Sequence, residues 1–261
     1  MRENHRRAVE GVVAELEGNP SFRALILAGS VARGTALPAS DIDLLLVATD
    51  EEYAQRLSVG DLSYVNQEVC NYEGGYADGK IVPLSFIEEV VERGSEPARA
   101  AFVGVRILHS RIPELAGLLE RATAYPESER VSKIESFYAQ LLIHYWYIDE
   151  ALKRDDRYLL TRSVSSFTLF AGRLILAYNR ILFPYHRWFM HELRGAAEKP
   201  DDLIERMECL LQRPCKEHAN ALLASVANFR DWEKPPCSPA VRFMQDSEWS
   251  WRSGLAPIED R

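Results

Sequence analysis

Two short apolar runs, residues 22–28 and 42–48, constrain this chain more than any other feature in it. Each is too short for a helix and reads as a buried central strand. The first ends on Gly29-Ser30 and the second is headed by Asp41-Ile42-Asp43. Before them, Val9, Val12, Val13 and Leu16 recur at helical spacing up to Gly18-Asn19-Pro20, which predicts an amphipathic helix over 4–17. After them, Thr49 or Asp50 caps a short helix to about Leu57, and strands are expected over 62–70, 80–84 and 103–108. Ser85 opens a helix to Arg93, with Glu88 completing a capping-box pattern. The resulting order is mixed α/β.

From Pro113 onward the pattern changes to long helices over 112–123, 127–153, 158–181 and 184–194, with two more beginning near Asp201 and Lys216. Proline interrupts that pattern at Ala124-Tyr125-Pro126, so the expected division is residues 1–124 and residues 125–261. The stretch from Pro235, with Pro236, Pro239, Trp249 and Trp251, reads as an irregular tail that packs back on the body.

Side chains alternate along a strand, so Asp41 and Asp43 share one face while Ile42 points to the core. Two carboxylates so placed repel unless a cation sits between them. Hard oxygen donors that also bridge to phosphates suit Mg²⁺. Gly29 lets a phosphate approach the backbone, and the Ser30 hydroxyl with nearby amides can hold its oxygens. Arg33 is a candidate charge clamp and Gly34 a turn residue. A lone Asp-x-Asp is most often a solvated strand end. The weight lies in the combination of apolar strand, Gly-Ser, Arg-Gly loop and acid pair heading a second apolar strand.

Leu27-Ala28-Gly29-Ser30-Val31-Ala32-Arg33-Gly34 through Ser40-Asp41-Ile42-Asp43-Leu44 resembles the signature of the polymerase-beta-like nucleotidyltransferase superfamily. The resemblance covers about the first hundred residues. The helical remainder, mainly 174–180 and 184–188, is similar to the C-terminal helical domains of antibiotic (aminoglycoside-type) members. It implies an α+β fold: a mixed-sheet nucleotidyltransferase catalytic domain over 1–124, then a helical-bundle substrate-binding domain over 125–261. It also implies a third carboxylate on a later strand. Asp78 is the candidate, heading Asp78-Gly79-Lys80-Ile81-Val82, and Glu73 is the alternative. Lys80 would share the face of Asp78 and touch a phosphate. Among Arg162, Arg173, Arg180 and Arg187, expected opposite the sheet, Arg187 is the choice for the triphosphate.

The implied reaction uses two Mg²⁺ ions held by Asp41, Asp43 and Asp78. A nucleoside monophosphate, AMP from ATP or its equivalent from another triphosphate, passes to a hydroxyl of a small, aminoglycoside-like acceptor, and pyrophosphate leaves. Alternatives are nucleotidylation of a protein or tRNA end, and a catalytically silent nucleotide-binding module. Nucleotide preference and oligomeric state stay open.

Composition sets the remaining expectations. A formal charge of −8 disfavours a long nucleic-acid backbone as partner and favours a cationic acceptor. The longest apolar runs, such as 24–28 and 44–48, are too short to span a bilayer, and the basic N-terminal stretch leads into an amphipathic segment, so a cytoplasmic protein is expected. Cys70, Cys209, Cys215 and Cys237 match neither a zinc ribbon nor a CxxC pair and read as reduced thiols. Phe137, Tyr138, Tyr145, Trp146 and Tyr147 read as core packing before a stacking surface. His144 and Asp149 read as a core or surface pair, and residues 153–157 as a solvated turn.

Overall fold

β1 (Phe22–Leu27) and β2 (Ile42–Ala48) pair antiparallel, with Leu27 opposite Leu44 and Ile26 opposite Leu45. β2 also runs parallel to β4 (Ala77–Val82), and that register sets Asp43 opposite Asp78. β3 (Ser63–Asn66) flanks β4 and β5 (Arg106–Ser110) flanks β1, both antiparallel, giving the order β3-β4-β2-β1-β5. The structure is a computed structural model describing residues 1–255 and 258–260. It falls into two units, Met1–Ala124 and Tyr125–Arg261. The expected fold class, a mixed-sheet domain followed by helices, is the one observed.

In the first unit the period-two alternation of β2 sends Ile42, Leu44 and Leu46 to one face and Leu45 and Val47 to the other. The first face is covered by α1 (Glu3–Leu16) through Ala8, Val9, Val12 and Leu16. The second packs against Ile87 and Val90 of α4 (Leu84–Arg93) and Leu115, Leu118 and Leu119 of α6 (Leu115–Ala122). Each fully buried Leu or Ile contributes roughly 1.5–3 kcal/mol, so the strands carrying the acids are held from both sides. α3 (Asp50–Val59) follows β2, and Thr49 Oγ1 accepts the Glu52 N–H at its start. α5 (Glu96–Ala100) is capped in the same way by Ser95.

Several element boundaries differ from expectation for local reasons. The strand expected over 62–70 ends at Asn66, whose Oδ1 accepts the N–H groups of Glu68 and Val69 and folds the chain into a turn. The strand expected over 80–84 begins earlier, at Ala77, and stops at Val82 before Pro83, which has no N–H to give a ladder. Pro83 is itself the N-cap of α4, with no side-chain cap, so the Ser85/Glu88 capping box is not used. The last strand starts at Arg106 because Gly104, at φ 74°, turns the chain just before it.

The second unit is built on α7 (Arg130–Arg154) and α8 (Arg157–Tyr178), joined through Asp155 in the left-handed conformation and Asp156, whose carboxylate caps α8 at the Leu159 N–H. Phe137, Leu141, Phe167, Phe170 and Leu174 form its core, with Leu193 of α9 (His186–Gly195), Leu210 of α10 (Leu203–Gln212) and Leu222 of α11 (Lys216–Phe229). Among the described residues α8 alone is long and apolar enough to cross a membrane. Most of it is buried inside the protein, as expected of a core helix. The region after Pro235 is not irregular throughout: Ser238 caps α12 (Pro239–Asp246), and Pro239 suits a first helical turn. Arg242 clips α12 to α7 through Glu135, the Ser132 carbonyl and Ser136, while Phe243 packs on His144.

Candidate metal centre

The end of β1 is tied to β2 by the Ala28 N–H, which donates to the Asp43 carbonyl at 2.9 Å. The chain then turns at Gly29 with φ 63°, a conformation that favours glycine. A Cβ built there would fall 1.7 Å from Oδ2 of Asp43. Both constraints act at one position, so the backbone of residue 29 lies directly against the Asp43 carboxyl. Residues 29–33, expected as a loop, form the short helix α2 (Gly29–Arg33), whose C-cap is Gly34 at φ 79°.

Asp43 stands on β2 and Asp78 opposite it on β4. Asp41 lies just before β2. The Ile42 N–H donates to the Tyr76 carbonyl at 2.9 Å, and the Tyr76 hydroxyl donates to Asp41 Oδ2 at 3.1 Å. One carboxylate oxygen from each of Asp41, Asp43 and Asp78 lies within 4.8 Å of the other two. Glu73, the alternative third acid, is exposed and outside this group.

Like charges at such distances repel by on the order of 1–3 kcal/mol per pair in a partly solvated site. Burial first, and the Asp41 charge second, push the Asp78 carboxyl above the ordinary carboxylate range; its own backbone N–H and Lys80 pull the other way. The Tyr76 phenol is raised by its hydrogen bond to Asp41 and by the surrounding negative charge. Oδ1 of Asp78 is buried with no hydrogen-bond partner among the described residues. An unsatisfied buried carboxylate oxygen beside two further carboxylates fits a hard divalent cation.

Lys80 is exposed two residues beyond Asp78 on the same face of β4. Ser30 is the second residue of α2, and its carbonyl accepts the Thr35 N–H at 3.0 Å. Arg33 ends α2 with its stem beside Gly104, and its Nε is buried without a partner among the described residues. Arg187 belongs to the second unit, exposed on α9 with its guanidinium 5.8 Å from the Trp188 ring centre. Its fellow candidates are engaged within that unit. Arg162 pairs with Glu259, Arg180 with Glu127, and Arg173 is fully buried between the Phe137 and Phe183 rings.

Of the aromatic group on α7, Phe137 is core, Tyr145 packs on Phe167 and Trp146 is half exposed. His144 stacks on Phe170, and Asp149 pairs with Lys153 and Lys216. The sequence marks residues 71–76 as a glycine-containing loop that can bend near a ligand or merely join two strands, and it gives Tyr72 and Tyr76 no role of their own. The available signal was the pair of tyrosines flanking Gly74-Gly75 in the connection leading to β4.

The first unit thus presents an aspartate centre suited to a divalent cation at the head of a central strand pair. Residues 10–98, from α1 into α5, match the model of the nucleotidyltransferase domain family. That span includes Gly29, Asp41, Asp43 and Asp78, and nucleotidyl transfer is the chemistry the match supports. No curated protein matches the chain. Among solved structures it is similar to a nucleotidyltransferase-like protein from Exiguobacterium sibiricum, with 13% identity over 95% of this chain and 79% of that one. The TM-score is 0.48, too low to bear on substrate.

Proposed function

We propose that this protein is a metal-dependent nucleotidyltransferase that moves AMP from ATP, or the equivalent group from another triphosphate, to a hydroxyl of a small acceptor, with release of pyrophosphate. The observation that carries the reading is the convergence of Asp41, Asp43 and Asp78 beside Gly29, inside the region that matches the nucleotidyltransferase domain. Asp41, Asp43 and Asp78 would hold two Mg²⁺ ions. Bound there, the ions supply positive charge for the triphosphate and the departing pyrophosphate.

The protein's own groups do the positioning. The glycine turn at Gly29 and the Ser30 hydroxyl seat the phosphates, and Lys80, on the face of β4 that carries Asp78, offers an ammonium to their oxygens. Arg33 is the further cation assigned to the triphosphate. The acceptor hydroxyl attacks the α-phosphorus as its bond to the bridging oxygen of pyrophosphate breaks, and the acceptor proton passes to a carboxylate of the centre or to solvent. Little covalent work falls to the protein, so orientation and charge carry the acceleration.

Residues 1–124 are assigned the catalytic role and residues 125–261 recognition of the acceptor. The net charge of −8 favours a cationic, aminoglycoside-like compound over a nucleic acid, and the reaction is assigned to the cytoplasm. The test is a pyrophosphate-release screen of nucleotides and acceptors with Mg²⁺, using the Asp41→Asn/Asp43→Asn protein as blank. Release by the wild type alone supports the reading. Equal release by the blank, or none with any small-molecule, protein or tRNA acceptor, removes it.

A further inference from the structure

Asp41 is held differently from its two partners. Asp43 and Asp78 stand on paired strands and take their direction from the sheet, whereas Asp41 precedes β2 and has no ladder to orient it. Fixing a free side chain into one rotamer costs up to about 1–2 kcal/mol. A ligand that must meet that cost at the moment of binding weakens the centre, unless something else has fixed it beforehand.

The connection between β3 and β4 does this with two tyrosines. The Tyr72 hydroxyl donates to the Ser40 carbonyl at 2.8 Å, fixing the backbone on one side of Asp41. The Tyr76 carbonyl accepts the Ile42 N–H on the other side, and the Tyr76 hydroxyl reaches the Asp41 carboxylate itself. Gly74, at φ 75°, and Gly75, where a Cβ would lie 2.4 Å from the Tyr72 ring, let the chain fold tightly enough for both tyrosines to arrive. The half-exposed Tyr76 ring adds little to the core, so its hydroxyl is what it contributes.

Resting on the metal reading above, we propose that Tyr76 is a positioning residue of the centre. Its hydroxyl holds the Asp41 carboxylate in the orientation that brings one of its oxygens within 4.8 Å of those of Asp43 and Asp78. A phenol suits the task because it orients a carboxylate by one hydrogen bond without adding positive charge. An Arg or Lys in its place would partly neutralise the acid and lower the attraction for a cation.

Mn²⁺ serves as the probe, its binding to the full chain followed by electron paramagnetic resonance with and without a non-hydrolysable ATP analogue. Tyr76→Phe should weaken Mn²⁺ by about tenfold. Tyr76→Leu should weaken it alike, since the hydroxyl and not the ring carries the effect. The metal-free melting temperature of Tyr76→Phe should stay within about 2 °C of wild type, because an exposed substitution moves stability little. If wild type binds Mn²⁺, Asp43→Asn abolishes that binding and Tyr76→Phe leaves it unchanged, the positioning role is wrong while the metal centre stands. If wild type binds no Mn²⁺, both are wrong.

Discussion

Gly29 and Asp43 occupy the same small space: a methyl group on the first would sit 1.7 Å from a carboxylate oxygen of the second. Gly29→Ala therefore carries two penalties, a left-handed backbone for a residue with a Cβ and displacement of the Asp43 carboxyl. A loss of about 1–3 kcal/mol in unfolding free energy is expected. Mn²⁺ binding should fall at least tenfold. Denaturant unfolding and Mn²⁺ titration on the same preparation check both, and a variant that binds metal normally would contradict the account of this turn.

Removing metal should expose the repulsion among Asp41, Asp43 and Asp78. Because the Asp78 carboxyl is raised in the folded protein, its contribution to stability is fully present below the ordinary aspartate range and is lost as pH rises through the raised value. In a chelator, wild type should lose stability over that acidic window, and Asp78→Asn should show a flatter profile. Returning Mn²⁺ at about a hundred times its Kd should restore about 2.7 kcal/mol to wild type and nothing to Asp43→Asn. Thermal melts across pH measure all three.

His144 is buried against Phe170, and burial, helped by the Arg162 charge, brings its pKa down to about 4. It is neutral in the folded protein at pH 7, whereas an unfolded histidine takes up a proton near 6.5. Stability is therefore undiminished above 6.5 and falls as pH drops toward 4, by up to about 3 kcal/mol. His144→Gln should remove that slope, read as the difference in urea midpoint between pH 7 and pH 4.5.

Arg173 is a test of core electrostatics in the helical unit. Its guanidinium lies 4.4 Å from the Phe137 ring centre and 4.3 Å from that of Phe183, and Nη1 donates to the Glu259 carbonyl at 3.1 Å. Arg173→Leu keeps an apolar stem but loses both cation–ring contacts and the hydrogen bond to the Glu259 carbonyl, a change expected to cost about 2–4 kcal/mol. Arg187→Ala, exposed on α9, should leave stability within about 0.5 kcal/mol, so the pair separates a structural arginine from a surface one.

The corner around the acids was legible because its determinants are local. A glycine after one apolar run and alternating acids heading the next state their geometry within a few residues. Asp78 was harder, since its place depends on the parallel pairing of β2 with β4, which sequence spacing leaves open against Glu73. Tyr76 was legible only as part of the glycine-containing loop 71–76: a hydroxyl reaching back 35 residues leaves no periodic trace. The edges of β3 and β4 differ where the Asn66 side chain folds the chain into a turn and where Pro83 has no N–H to give the ladder. Nothing in its spacing sets Arg173 apart from Arg162, Arg180 and Arg187, and only tertiary packing shows it enclosed by rings.

The parallel register of β2 and β4 means that the proposed cation centre cannot be assembled early. Its donors come from segments that meet only after the intervening chain has crossed over and both strands have zipped in the right alignment. A chain still searching offers scattered carboxylates with little affinity for a divalent ion. Cation uptake during refolding would then report the moment that crossover completes, making the centre a clock for the pairing of β2 with β4.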